Sequence, residues 1–67
     1  MKCYTILLYK HKKDKSIVCQ SDQYYFRNNK EALVYALELF DKKYDICNVY
    51  SVKNNEENFL MRFTRLE

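Results

Sequence analysis

Apolar side chains in the first third of the chain recur with the spacing of β-strands. Residues 2–10 (KCYTILLYK) are rich in aromatic and branched side chains, and residues 16–26 (SIVCQSDQYYF) resume that pattern after a charged stretch. Successive side chains of a strand point to opposite faces, so residues 2–10 carry apolar groups on both faces. This arrangement favours a central strand and predicts that the two segments form a β-hairpin.

The charged stretch between these segments sets the expected register of the hairpin. Residues 11–15 (HKKDK) lack the apolar alternation that flanks them, and we expect a two-residue loop at Lys13–Asp14. A longer loop would shift the register. The pairs that follow from the two-residue loop are Lys12 with Lys15, Lys10 with Ile17, and Leu8 with Cys19.

Residues 28–44 (NNKEALVYALELFDKKY) have the period of an amphipathic α-helix. Asn28 can cap the first turn, and Glu31 three residues later completes a capping-box pattern. Two lysines in the last turn suit the negative pole of the helix dipole. The pattern predicts a helix from Asn29 to Lys43 with a buried stripe formed by Leu33, Ala36, Leu37, Phe40 and Tyr44.

Two more strand-like segments follow the helix. Residues 45–53 (DICNVYSVK) and residues 59–66 (FLMRFTRL) alternate, and the asparagine-rich residues 54–58 (NNEEN) predict a turn between them. We therefore predict a single α+β domain over residues 1–67, a small two-layer ββαββ fold with one helix packed on one face of an antiparallel sheet. The other sheet face would carry a second set of side chains, including Tyr9, Tyr50 and Arg62.

Composition removes several classes of site. The chain contains no glycine and no proline, so neither a phosphate-cradling glycine loop nor a dinucleotide fingerprint can form. The chain has three cysteines, Cys3, Cys19 and Cys47, and no Cys-x-x-Cys spacing. This odd number does not suit a disulfide framework, and the spacing does not match a zinc motif. We expect small, reduced core cysteines, no cofactor and no metal site.

The sequence does not indicate catalysis. His11 is the one histidine and lies in the charged turn, the carboxylates are scattered, and no cysteine has a base partner nearby in sequence. A chain this short has little room for an enclosed pocket with supporting residues around it. We expect no enzymatic activity and assign no catalytic residue.

Positive charge is concentrated in the first hairpin. Lys10, Lys12, Lys13 and Lys15 lie within six residues, against the single acid Asp14. Such a tip could contact nucleic-acid phosphates, and each contact would add to the salt dependence of binding. The alternative is a solvated turn that protects an edge strand from aggregation. The modest net charge of +3 favours the solvated turn and leaves nucleic-acid binding as the second hypothesis.

The aromatic side chains suit three different roles. Seven tyrosines and four phenylalanines are many for a chain of 67 residues. Core packing ranks first and a protein interface second, because tyrosine combines a large contact area with a polar tip. Base stacking ranks third. Its platform would consist of Tyr9, Tyr50, Phe63 and Arg62.

The outer face of the helix is the candidate docking surface. Tyr35 and Leu39 lie four residues apart, away from the expected stripe, with the acidic Glu31 and Glu38 beside them. An exposed apolar patch with a polar rim marks an interaction site. The competing interpretation, of equal weight, is that these residues pack on residues 24–26 of the chain itself.

These surfaces predict a small non-enzymatic protein that binds a partner protein and regulates or inhibits it. Its contacts would be Tyr35, Leu39, Glu38 and Glu31, with the hairpin lysines steering the encounter. Lys, Asn, Ile, Tyr and Phe, whose codons are AT-rich, are abundant, which suggests a phage or other mobile element acting on a host protein. Self-association through an edge strand is a further alternative. No apolar run is long enough to span a membrane, so we expect a soluble, cytoplasmic protein.

Overall fold

A computed structural model of the chain describes residues 1–13 and 15–65. The elements are β1 (Lys2–Lys12), β2 (Lys15–Phe26), α1 (Asn29–Lys43), β3 (Ile46–Lys53) and β4 (Glu56–Thr64). All strands are antiparallel, in the order β2-β1-β3-β4, and the helix packs across one face of the sheet. The predicted two-layer ββαββ fold is confirmed. Asp14 of the predicted loop and Leu66 of the predicted last strand lie outside the described residues.

The core lies between the helix and the two central strands. Ile6 faces Val49 and Leu8 faces Cys47 across the β1–β3 register, and all four side chains are buried. Removing a branched side chain of this size from water stabilises the fold by about 1.5–3 kcal/mol. The helix closes this core with Ala32, Ala36 and Phe40.

The helix begins at the predicted cap. The Oδ1 of Asn28 accepts a hydrogen bond from the backbone N–H of Glu31 at 3.0 Å. The Glu31 carboxylate accepts one from the backbone N–H of Arg27 at 3.1 Å. The pair therefore forms a variant of the capping box that reaches the residue before the cap, and it satisfies donors that the first helical turn leaves free.

The buried stripe of α1 differs from the predicted one. The predicted Ala36 and Phe40 are buried, but Leu37 is 44% exposed. Tyr35 turns inward instead, because the rings of Tyr24 and Phe26 on β2 lie within 5.0 and 5.5 Å of its own ring centroid. The prediction for Leu37 was wrong because the helical spacing of apolar residues cannot predict contacts between the helix and the aromatic rings of an edge strand.

Arg65 closes the C-terminal end of α1. Its Nε donates to the carbonyl of Tyr44 at 2.7 Å and its Nη2 to the carbonyl of Phe40 at 2.9 Å. The guanidinium carbon also lies 4.7 Å from the centroid of the Phe40 ring. Carbonyls at a helix end need donors, and helices often supply them through a glycine in the left-handed conformation. In this glycine-free chain an arginine side chain supplies them.

The turn between β3 and β4 is made by asparagine. Asn54 and Asn55 both have positive φ, at 53° and 64°, and connect the paired residues Lys53 and Glu56. A two-residue hairpin loop of this kind requires positive φ at both central positions, which asparagine tolerates better than other non-glycine residues. The turn predicted over residues 54–58 is therefore shorter, since β4 starts at Glu56.

The first hairpin departs from its predicted register at one point. The pairs Lys12–Lys15 and Lys10–Ile17 are confirmed. An irregularity between Leu8 and Tyr9 then shifts the ladder, so that Leu8 faces Gln20. The predicted pair of Leu8 with Cys19 was wrong because β2 contains one extra residue at this β-bulge.

The three cysteines have three different environments. Cys47 is buried as expected, and burial raises the pKa of its thiol to about 11. Cys3 is half-buried, whereas Cys19, at the bulge, is exposed. The expectation of a core position was therefore wrong for Cys19. All three thiols are free.

Candidate protein-binding surface and basic arm

The sheet face opposite α1 is not covered by any other part of the described chain. We call it the open face. Paired residues of an antiparallel sheet lie on the same face, so the registers of the four strands identify its members. Its central and apolar positions are Cys3, Thr5, Leu7, Tyr9, Val18, Tyr25, Ile46, Asn48, Tyr50, Val52, Phe59 and Arg62.

Two aromatic rings are exposed on the open face, one on each edge strand. Tyr25 is 63% exposed and pairs with Cys3. Phe59 is 58% exposed and pairs with Tyr50, which in turn pairs with Thr5. The ring of Phe59 contacts the ring of Tyr50 edge-on, with centroids 5.8 Å apart. These rings are in contact with water although the helix side of the same sheet is well packed.

The centre of the open face is polar and largely buried. Asn48 is 3% exposed and Thr5 is 4% exposed. The Nε of Arg62 donates to the Oδ1 of Asn48 at 2.8 Å. Thr5 Oγ1 is buried and has no hydrogen-bond partner among the described residues. Tyr9, Ile46, Asn48 and Arg62 line a shallow depression of about 190 Å³ on this face, together with Ser16.

The open face carries very little charge. Register and alternation place one basic side chain, Arg62, and one acidic side chain, Glu57, on the described part of β4 that borders it. The β1 and β3 positions of the face, from Cys3 to Tyr9 and from Ile46 to Val52, are uncharged. The face is therefore almost uncharged, and its single cation, Arg62, extends from the edge strand β4 to Asn48.

The second candidate surface is the end of the β1–β2 hairpin, which projects beyond the rest of the sheet. β1 pairs with β3 only as far as Tyr9, but it continues to pair with β2 as far as Lys12. Residues 10–13 and 15–17 therefore belong to a two-stranded ribbon that extends beyond the four-stranded body, and we call this ribbon the basic arm. The long dimension of the molecule, 37 Å against 21 and 15 Å, is consistent with this projection. The predicted lysines Lys10, Lys12, Lys13 and Lys15 are all exposed on the arm.

The base of the arm is tied to the segment that follows α1. The backbone N–H of Asp45 donates to the carbonyl of Tyr9 at 2.9 Å. The Asp45 carboxylate accepts the backbone N–H of His11 at 2.8 Å. His11 Nδ1 and Ser16 Oγ lie 2.9 Å apart on the exposed surface. The Asp45 carboxylate thus binds the backbone of His11 and not its imidazole. In a serine-histidine-acid relay, the carboxylate accepts a hydrogen bond from the imidazole ring.

Three of the four helix residues predicted to bind a partner lie together on the surface. Glu31, Tyr35 and Glu38 line one open groove of about 510 Å³ with the more exposed Val34. Leu39 does not line this groove and instead packs on the core. The predicted alternative, that Tyr35 packs on residues 24–26, is confirmed by its contacts with Tyr24 and Phe26.

The predicted stacking platform also differs in one residue. Tyr9, Tyr50 and Arg62 do share the open face. Phe63 lies on the helix side, where its ring centroid is 6.0 Å from that of Phe40. A second irregularity, between Val49 and Tyr50, changes the alternation of β4 and brings Phe59 to the open face. The alternation of the sequence did not reveal this shift, since no glycine marks the bulge.

Comparison of the chain with protein-family profiles, with curated proteins and with solved structures found no match. Within residues 1–13 and 15–65, no helix has the length and apolar character to cross a membrane. The same residues contain no cluster of three or more His, Cys, Asp or Glu side chains suited to a metal ion.

Proposed function

We propose that this chain is a small non-enzymatic protein-binding regulator whose contact surface is the open face. The observation that carries this proposal is a four-stranded sheet with one aromatic, almost uncharged face left uncovered. Seven paired residues and four strands span roughly 450 Å² in projection. This area includes polar positions such as Thr5 and Asn48, so the apolar patch itself is smaller. Exposed apolar side chains grouped on one uncovered face are a candidate interaction site.

The chemistry of the open face favours a protein as the occupant. Tyrosine, phenylalanine and arginine are enriched in protein interfaces, while lysine is depleted. The described open-face positions of β1 and β3 contain no lysine, so this surface lacks the charge that a phosphate backbone demands. We infer a partner that presents apolar side chains to Tyr25, Tyr50 and Phe59.

The single cation of the face adds a second requirement for the partner. Asn48 engages only the Nε of Arg62, and a guanidinium has five N–H donors in total. A carboxylate on the partner would form a charge-assisted contact with the remaining donors. The partner surface we propose is therefore apolar with an acidic side chain near its centre.

The biological setting is part of the same proposal. The bias toward residues with AT-rich codons supports an origin in a phage or other mobile element that acts on a host protein. Three free thiols support the reducing environment of the cytoplasm, where disulfides are rare. Binding through a broad face would regulate the partner by covering its surface.

The test compares two exposed faces of the same protein. A photo-crosslinking residue is placed at Phe59 or, as the matched control, at Val34 on the helix. The protein crosslinked from nuclease-treated cells is identified, purified and titrated with wild type, Phe59→Ser and Val34→Ser. We expect Phe59→Ser to weaken binding at least about tenfold, as removal of an aromatic anchor does, and Val34→Ser to leave the affinity unchanged.

Two results would overturn this proposal. If Val34→Ser abolishes binding and Phe59→Ser does not, the helix surface is the binding site. If the crosslinked species is a second copy of the chain and sedimentation shows a dimer that Phe59→Ser dissociates, the open face is a self-association surface.

A further inference from the structure

The basic arm has a charge arrangement that does not favour its own folding. Lys12 and Lys15 are directly paired across the ribbon, and like charges in this position destabilise a hairpin. Lys13, between them in the turn, has a positive φ of 59°. A lysine is poorly suited to that backbone region, for which asparagine and glycine are preferred. A turn with no role beyond connection would not need this combination.

The helix adds to the positive charge at this end. Lys42 and Lys43 occupy the last turn of α1. Asp45, two residues later, is hydrogen-bonded to Tyr9 and His11 at the base of the arm. The helix end and the arm therefore form one pole of the molecule. In the sequence, the arm and the end of α1 contain six lysines against the three acidic residues Asp14, Asp41 and Asp45.

No arm lysine forms an ion pair within the described part of the chain. The ion pair found there, between Arg27 and Glu31 at 3.8 Å, lies at the start of α1, away from the arm. The Asp45 carboxylate already accepts the backbone N–H of His11. The charge of this pole is therefore available to an external anion.

We infer that the basic arm binds the phosphate backbone of double-stranded DNA. This site goes beyond the proposed protein-binding function, and its paired lysines lie on the side of the sheet opposite the open face. Lys10, Lys12 and Lys15 share the α1 side of the ribbon, since paired and alternate residues lie on one face. A two-stranded ribbon fits the major groove of B-form DNA, which is about 12 Å wide. The lysines are point charges without a fixed donor geometry, so the contact recognises phosphates and not sequence.

The wild-type test measures the salt dependence of binding to a probe. The probe is a fluorescent 20-base-pair DNA duplex of arbitrary sequence, and its anisotropy is followed at 50 and 200 mM salt. Four phosphate contacts predict a loss of affinity of about a hundredfold between these concentrations. Failure of the wild-type protein to bind the duplex at 50 mM salt would overturn the inference.

The arm variant combines Lys12→Gln, Lys13→Gln and Lys15→Gln. This variant should bind the duplex weakly, and the dependence of its affinity on salt should correspond to about one phosphate contact. Thermal unfolding will verify its fold, and its Tm should not fall, because the substitutions remove a repulsion.

The matched control carries the same change in net charge at the opposite end of the molecule. It combines Lys2→Gln, Lys30→Gln and Lys53→Gln, all at exposed positions. This control should keep most of the affinity and the full salt dependence. Equal losses in the arm variant and the control would mean that net charge alone attracts the duplex, which would overturn the inference.

Two further probes identify the class of anion. Single-stranded oligothymidine or polyglutamate that binds more tightly than the duplex would overturn the assignment to double-stranded DNA. Phe59→Ser should leave duplex affinity unchanged, so the outcome for the arm is independent of the outcome for the open face.

Discussion

Arg62 donates a hydrogen bond from Nε to the Oδ1 of Asn48, at 2.8 Å, in the centre of the uncovered sheet face. Asn48 is buried, so its carbonyl oxygen depends on this donor. A buried acceptor left without a donor costs about 1–3 kcal/mol. We therefore predict that Arg62→Ala lowers the free energy of unfolding by this amount in urea titrations.

A double-mutant cycle separates this bond from other effects of Arg62. Asn48→Val removes the buried acceptor, so adding Arg62→Ala to it should cost much less than Arg62→Ala alone. The coupling energy expected for adjacent partners is about 0.5–3 kcal/mol. Strictly additive effects would show that the hydrogen bond does not contribute to stability.

The buried hydroxyl of Thr5 gives a prediction of opposite sign. Thr5 Oγ1 has no hydrogen-bond partner among the described residues. Thr5→Val keeps the branched shape, which suits a central strand, and removes an unsatisfied polar atom. We predict that this change raises the free energy of unfolding by about 1 kcal/mol. Thr64→Val, at an exposed position of β4, is the control and should change stability by no more than about 0.5 kcal/mol.

The sequence was sufficient to predict the layers of this fold. Periods of two and of 3.6 residues distinguish the four strands from the helix, and Asn28 marked the start of the helix correctly. The hairpin tip was also predictable, because the apolar alternation stops on both sides of Lys13. These features depend on neighbours in sequence, which is why a single chain was enough to find them.

The surfaces were harder to predict because they depend on single-residue shifts. One extra residue in β2 exposes Cys19, and one in β4 transfers Phe59 to the open face. A slip of one residue reverses the face of every following side chain, and no glycine marks either bulge. The inward position of Tyr35 depends on rings of β2, which lie in a separate part of the sequence.

The asparagine turn gives a prediction about backbone strain. Asn55 has φ 64° in a two-residue loop, and Asn-Gly is among the preferred pairs for such loops. We predict that Asn55→Gly raises the free energy of unfolding by a few tenths to about 1 kcal/mol, while Asn55→Ala lowers it by about 1 kcal/mol. Thermal unfolding of both variants measures this. If Ala were tolerated as well as Gly, the loop would not require positive φ.

Alkaline pH should destabilise the protein through Cys47. Burial raises the pKa of this thiol to about 11 in the folded state, above its ordinary value of 9.0. Between these two values the unfolded chain loses the thiol proton while the folded chain retains it. The unfolded state then binds fewer protons, so the free energy of unfolding falls as pH rises. The contribution is fully present below pH 9 and is lost progressively toward pH 11.

Urea titrations at pH 8, 9 and 10 of wild type and Cys47→Ala measure this effect. Cys47→Ala is expected to be less stable at pH 8 because it leaves a cavity, and the gap should narrow as pH rises, because wild type alone loses the thiol contribution. Burial also raises the pKa of the phenols of Tyr4 and Tyr24. The free energy of unfolding of both proteins should therefore keep some dependence on pH. Cys19→Ser, at an exposed thiol, should follow the wild-type slope. A constant gap between wild type and Cys47→Ala across this range would mean that the buried thiol is not linked to unfolding.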